Sequence, residues 1–256
     1  MNMKNYETKE IFVFDLDGTL AESKSNIDKE TATLLEKILT KKKIAVISGG
    51  TFSQIKKAVV SKLNLNQKKI SNLSILPTSG SSFFQYENKK WKKIYSQKLS
   101  KEEMEKIIGN LRKSLSEAGY KKPRTTYGEI IENRKTQITF SGLGQKAPLE
   151  AKLAWDPQRT LRKKIVKLFE KLSPDFETRI GGSTSIDINK KGLDKSFGIE
   201  QIKRVFDLGN SQILFVGDAL FPGGNDYAVK KTKVETLSVK DPEETKKYLR
   251  EIIDSI

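Results

Sequence analysis

Residues 11–20 read Ile-Phe-Val-Phe-Asp-Leu-Asp-Gly-Thr-Leu, and the fold follows from them. Four apolar residues in a row, without alternation, predict a strand buried on both faces, as in a parallel sheet covered by helices. Asp15 stands at the carboxyl end of that strand, the edge at which open α/β sheets bind ligands. Asp17 returns two residues later to the same side of the chain, and Gly18 lets the backbone turn sharply. Paired carboxylates in this position can share Mg²⁺, which takes few protein ligands and leaves room for phosphate oxygens. One carboxylate can attack phosphorus while the other handles a proton. An Asx turn would satisfy the same letters. A calcium loop would not, because Gly18 is fourth from Asp15 and an EF-hand needs its glycine sixth.

Two further runs repeat the pattern. Residues 44–48, IAVIS, end in Ser48, and residues 213–218, ILFVGD, end in Asp218. Between such strands lie helical stretches. Asp28 can cap a helix carrying Leu34, Leu35, Ile38 and Leu39, and residues 52–63 and 195–206 have apolar residues at helical spacing. Asp241, Pro242 and Glu244 form a helix start before Leu249, Ile252 and Ile253. The two ends of the chain therefore predict one α/β unit with a parallel sheet, residues 1–84 and 190–256. The middle, 85–189, reads as an inserted α+β domain. A helix from Ser100 to about residue 118 precedes alternating residues 128–141, and a second helix around Leu161–Leu172 precedes extended residues 176–188.

The 256 residues hold 48 Lys or Arg and 32 Asp or Glu, a net charge of +16. The insertion is the more basic part, with 23 Lys or Arg against 13 Asp or Glu. This charge suits phosphorylated substrates, nucleic acid or an anionic membrane surface, and equally a solvated lysine-rich face. The chain has no Cys and no His. That excludes disulfides, thiolate nucleophiles, Ser-His-Asp triads and imidazole acid–base chemistry. Catalysis must use Asp, Glu, Lys, Ser, Thr or a hard metal held through oxygen. The first ten residues carry no long apolar stretch, and no run of about 18 apolar residues occurs. The expected location is the cytoplasm, with no membrane partner.

Three more motifs fall where the same pocket needs them. Ser48-Gly49-Gly50 follows the second strand, where a hydroxyl and free N–H groups can cradle phosphate; a plain strand-to-helix turn reads the same way. Lys195 begins a helix and could neutralise a transferring phosphoryl group, although alone it is one lysine among many. Gly217-Asp218, followed by Pro222-Gly223-Gly224-Asn225-Asp226, closes the third strong strand. Asp218 can complete a Mg²⁺ shell, with Asn225 and Asp226 in support.

The four elements in this order resemble the haloacid dehalogenase (HAD) superfamily with the larger type of cap. Within it the chain is most similar to eukaryotic-type phosphomannomutases and neighbouring sugar-phosphate phosphatases. The residues that carry this are Phe14–Leu20, Gly181–Asp187, Lys191–Lys195 and Gly217–Asp226. The resemblance implies a Rossmann-like core with an inserted cap. It implies Asp15 as nucleophile, Asp17 as general acid and base, and Ser48, Gly49 and Lys195 around the phosphoryl group. Asp15, the Asp17 carbonyl and Asp218 would hold Mg²⁺, and Ser185 and Asp187 would contact a small sugar phosphate.

Arginines are expected in the cap for the phosphate remote from the metal. Arg134 matches the first, but Gln145 and Lys152 stand in place of the next two. Glutamine has no charge and lysine lacks the bidentate fork. A weakened remote site places a phosphatase ahead, with a phosphomannomutase as the alternative. A basic nucleic-acid-binding protein is a remote third reading, since no nucleic-acid motif is present. A monomer or homodimer is expected.

Overall fold

The computed structural model describes residues 6–256; the first half of the ten-residue start read above lies outside the described residues. In chain order the strands are β1 (Ile11–Phe14), β2 (Lys43–Ile47), β3 (Leu73–Leu76), β4 (Ser82–Glu87), β5 (Lys90–Ser96), β6 (Ile131–Asn133), β7 (Ile138–Ser141), β8 (Phe176–Gly181), β9 (Ser185–Lys190), β10 (Ile213–Gly217) and β11 (Glu235–Ser238). The helices are α1 (Lys29–Ile38), α2 (Phe52–Ala58), α3 (Gln67–Ser71), α4 (Lys101–Ala118), α5 (Leu149–Trp155), α6 (Thr160–Leu172), α7 (Lys195–Phe206) and α8 (Pro242–Ser255).

Two compact units divide the chain. The first runs through Ser96 and resumes from Asp194 to Ile256, and the second is Gln97–Leu193. The first unit holds a seven-stranded sheet in the order β11-β10-β1-β2-β3-β4-β5. Its first five strands are parallel. The unbroken apolar runs have the reason expected of them. Phe12, Phe14, Val46 and Val216 pack on one side with Leu35 of α1 and Leu249 of α8. Val13, Ala45, Ile47 and Phe215 pack on the other with Ile199 and Ile202 of α7. Both faces are thus buried. The predicted caps are in place: the Asp28 carboxylate accepts the Thr31 N–H and the Asp241 carboxylate accepts the Glu244 N–H.

The boundary expected near residue 84 falls between Ser96 and Gln97 instead. β4 pairs antiparallel with β3, and β5 with β4, so the hairpin extends the core sheet. The boundary expected near 190 falls between Leu193 and Asp194.

In the second unit a four-stranded antiparallel sheet has the order β6-β7-β9-β8. Ile138, Phe140, Ile186 and Ile188 form its apolar face and pack with Ile107 and Leu111 of α4 and Ile165 and Phe169 of α6. Strand alternation then puts Thr139, Ser141, Ser185 and Asp187 on the opposite face. No helix among the described residues is long and apolar enough to cross a membrane.

Candidate active site

Three neighbouring strands bring the predicted residues of the first unit to one sheet edge. Phe14 is in register with Val46 of β2 and with Val216 of β10, so Asp15, Ser48 and Asp218 all emerge at carboxyl ends. Lys195 opens α7, where Asp194 caps the helix by accepting the Ser196 and Phe197 N–H groups. The Lys195 ammonium, only 1% exposed, lies 2.7 Å from Asp15 Oδ1 and 2.5 Å from Asp226 Oδ1. Asp226 Oδ2 accepts the Ala219 N–H at 3.0 Å. Both oxygens of Asp226 are therefore engaged, and the residue holds Lys195 while closing the loop after β10.

Asp15, Asp218 and Asp226 each place an oxygen within 4.8 Å of the others. Burial raises the Asp15 carboxyl well above the usual range; Lys195 opposes that shift, and Asp226 and Asp17 add to it. Burial also raises the Asp218 carboxyl, with Asp226 contributing. For Lys195, burial alone would lower the pKa, but Asp15 and Asp226 outweigh it and hold the ammonium charged. Three carboxylates around one cation leave an excess of negative charge, and Asp15 Oδ2 is buried without a hydrogen-bond partner. A buried, unsatisfied carboxylate oxygen in an all-oxygen donor set fits a hard divalent cation such as Mg²⁺.

The Asp17 carboxylate stands outside that group of three. Its Oδ1 accepts the Lys24 N–H at 2.5 Å, and its Oδ2 accepts a long bond from the Ser48 hydroxyl at 3.5 Å. Ser48 Oγ in turn accepts the Gly50 N–H at 3.1 Å, with half-buried Gly49 between them. Asn225 is half-buried in the loop that closes on Asp226.

Two features give this edge its shape. Gly18 has φ +85°, and a Cβ on it would lie 2.7 Å from Asp218 Oδ2. The loop after β1 can approach the loop after β10 only without a side chain there. Thr19, fully buried, then joins the two loops, since its hydroxyl donates to Asp218 Oδ1 at 3.2 Å and accepts the Asp218 N–H at 3.0 Å. The sequence alone assigns Thr19 no task. The signal available was its place beside Gly18 and its β-branched hydroxyl in a turn.

The residues expected to read the substrate lie in the second unit. Asp187 sits on the polar sheet face, with Thr139 and Arg179 as its cross-strand neighbours. Its Oδ1 accepts the Thr139 hydroxyl at 2.8 Å. Ser185, at the start of β9, has its hydroxyl 3.4 Å from that of Ser141. Arg134, in the turn after β6, donates to Glu132 Oε2 from Nε at 2.9 Å and from Nη2 at 2.7 Å. Lys152 is buried on α5. Gln145 lies in the loop after β7, and its Nε2 is buried with no acceptor. The three positions considered for a remote phosphate thus come from three separate segments.

Comparison with known proteins agrees with this arrangement. The family model described as eukaryotic phosphomannomutase matches residues 31–255. Among curated relatives, the phosphomannomutase of Encephalitozoon cuniculi is 27% identical over 256 residues, covering 98% of this chain and 96% of that one. The phosphomannomutase of Saccharomyces cerevisiae is 27% identical over 254 residues, covering 95% and 94%. Of solved structures, an IMP-bound IMP-nucleotidase of Plasmodium falciparum superposes with a TM-score of 0.71 at 16% identity, over 98% of this chain and 68% of that one. The C-terminal domain of Candida albicans trehalose-6-phosphate phosphatase gives 0.66 at 16% identity, over 99% and 96%; these two likenesses are of fold. With its carboxylate-lined strand edge and a family match across most of its length, the chain is an enzyme of the HAD superfamily and belongs to the eukaryotic phosphomannomutase family.

Proposed function

We propose that this chain is a Mg²⁺-dependent phosphomannomutase, moving a phosphoryl group between the 1- and 6-hydroxyls of mannose. The observation that carries the choice is the family-model match over residues 31–255. It favours the second of the two enzymatic readings over the phosphatase that the sequence alone placed first. The loss of arginine at Gln145 and Lys152 then becomes a variation within a mutase.

A carboxylate oxygen of Asp15 attacks phosphorus, the bond from phosphorus to the sugar oxygen breaks, and Asp17 delivers its proton to that oxygen. The phosphoryl group is now an acyl phosphate on Asp15. In the second half, Asp17 takes a proton from the free hydroxyl of a mannose monophosphate, that oxygen attacks phosphorus, and the bond to Asp15 breaks; the bisphosphate so formed rebinds in the reverse orientation and returns its other phosphoryl group to Asp15. Lys195 and Ser48 stabilise the charge on the transferring group through donors already held in place. When bound, Mg²⁺ would supply charge neutralisation at the phosphoryl oxygens and at Asp15, held by Asp15 and Asp218. The position of Asp17 outside the buried cluster supports its role, because a carboxylate beside the metal could not carry a proton. Ser185 and Asp187 contact the sugar phosphate, and Arg134 and Lys152 supply the positive charge for its remote phosphate.

Incubation of mannose 1-phosphate with Mg²⁺ and a trace of hexose bisphosphate, with both products measured, tests this reading. More mannose 6-phosphate than inorganic phosphate is expected. A product dominated by inorganic phosphate, unaffected by bisphosphate, would return the assignment to a phosphatase.

A further inference from the structure

Among the described residues Arg162 is the largest fully buried side chain, 1% exposed in the first turn of α6. A buried guanidinium is costly unless every donor is used, and here the donors divide between two tasks. Nε donates to Asp156 Oδ2 at 3.0 Å, and Nη2 donates to the Asp156 carbonyl at 3.0 Å. These bonds belong to the helix start. The Asp156 carboxylate also accepts the Leu161 and Arg162 N–H groups, each at 3.2 Å, so the first turn of α6 is capped with or without the arginine. Nη1 does something else. It reaches the carbonyl of Gly182 at 2.9 Å and, more weakly, that of Gly181 at 3.4 Å.

Those carbonyls belong to the turn from β8 to β9, Gly181-Gly182-Ser183-Thr184. Its two glycines have no side chains with which to pack. At the far end the turn is held by the Gly142 N–H, which donates to the Thr184 carbonyl at 3.1 Å. Ser185 follows directly, and Asp187 two residues later. The turn is therefore closed at its base by the pairing of Gly181 with Ser185 and held at its exit by Gly142, just after β7, while one guanidinium holds its two glycine carbonyls.

We propose that Arg162 is a positioning residue for substrate recognition, fixing the Gly181–Thr184 turn so that Ser185 and Asp187 hold the geometry that reads the sugar phosphate. This rests on Ser185 and Asp187 contacting substrate, as in the mutase reading. Lysine at this position keeps the charge but cannot span Asp156 and Gly182 together, and methionine fills the space but leaves both the carbonyls and the buried Asp156 carboxylate without their partner.

The test uses the full chain with Arg162→Lys and Arg162→Met, steady-state kinetics on mannose 1-phosphate, and amide hydrogen exchange. The expected result is a KM raised about tenfold with kcat changed far less, as a hydrogen bond to a charged group would give. Exchange should be faster at residues 182–187 than elsewhere in the second unit. If Arg162→Met does not fold, Arg162→Lys decides. Wild-type KM in a folded variant, or exchange accelerated evenly across α6 and the whole sheet, would overturn the proposal and make Arg162 a stability residue only. If the wild type turns over no sugar phosphate, the mutase reading has failed, and the exchange pattern alone still decides whether Arg162 fixes the turn.

Discussion

Asp15 and Asp17 are two residues apart and live in different surroundings. Asp15 is buried against Lys195, while Asp17 is half-buried and bonded to a backbone N–H and a serine hydroxyl. Asp15→Asn should abolish turnover in a folded protein, as single-turnover assays would register. Asp17→Asn should slow both formation and breakdown of the acyl phosphate by about 10²- to 10⁴-fold, since it removes the proton carrier; equal rates in the two proteins would refute that role. The remaining carboxylates separate in the same way. Asp218→Ala should raise the Mg²⁺ concentration needed for half-maximal activity, and excess Mg²⁺ should restore much of the rate. Asp226→Ala should not be rescued by metal, because its loss leaves Lys195 with Asp15 alone and the Ala219 N–H without its acceptor. Titration of Mg²⁺ against rate in both variants tells these outcomes apart. The positions of Asp15, Ser48, Lys195 and Asp218 were legible in the sequence because each follows a strand end or starts a helix, where position alone implies direction, and Asp17 was legible from its spacing two residues beyond Asp15. The contacts that set Asp17, Asp218 and Asp226 apart, Lys24 N–H and Ser48 for the first, Thr19 for the second and Lys195 with the Ala219 N–H for the third, were not, since they depend on which oxygen each carboxylate turns toward which donor.

At the scale of elements, the parallel strands announced themselves by unbroken apolar runs, and α1, α4 and α8 by their capping residues. The β4–β5 hairpin did not. Residues 85–96 carry Lys89, Lys90, Lys92, Lys93 and Glu87, and β5 is an edge strand with much of its length in water. Charged edge strands resist further pairing, and the same charges hide them from pattern reading. The contact between the loops after β1 and β10 depends on Gly18. Gly18→Ala should cost about 1–2 kcal/mol for the left-handed backbone alone. It should also push Asp218 away, because the added carbon would lie 2.7 Å from its Oδ2. A lower melting temperature together with weaker Mg²⁺ activation is expected; a lower melting temperature with unchanged activation would show that Asp218 adjusts without loss.

A chain with a net charge of +16 holds a centre with more carboxylates than cations. Such a centre repels a polynucleotide backbone unless metal intervenes, whereas a small phosphate ester can enter with Mg²⁺. Duplex DNA should therefore bind only weakly at physiological salt, and a salt titration with a slope implying many phosphate contacts would contradict this. Substrate choice was the least legible property, because Arg134, Gln145 and Lys152 come from a turn, a loop and a helix whose arrangement no periodicity encodes. The central claim is that Asp15 carries the phosphoryl group between two hydroxyls. Rapid quenching of the wild type with ³²P-labelled hexose bisphosphate and Mg²⁺ tests it most directly. The account predicts a hydroxylamine-labile label on the peptide containing Asp15, absent from Asp15→Asn and discharged by mannose 1-phosphate into bisphosphate. Label on another residue, or turnover that persists in Asp15→Asn, would contradict it.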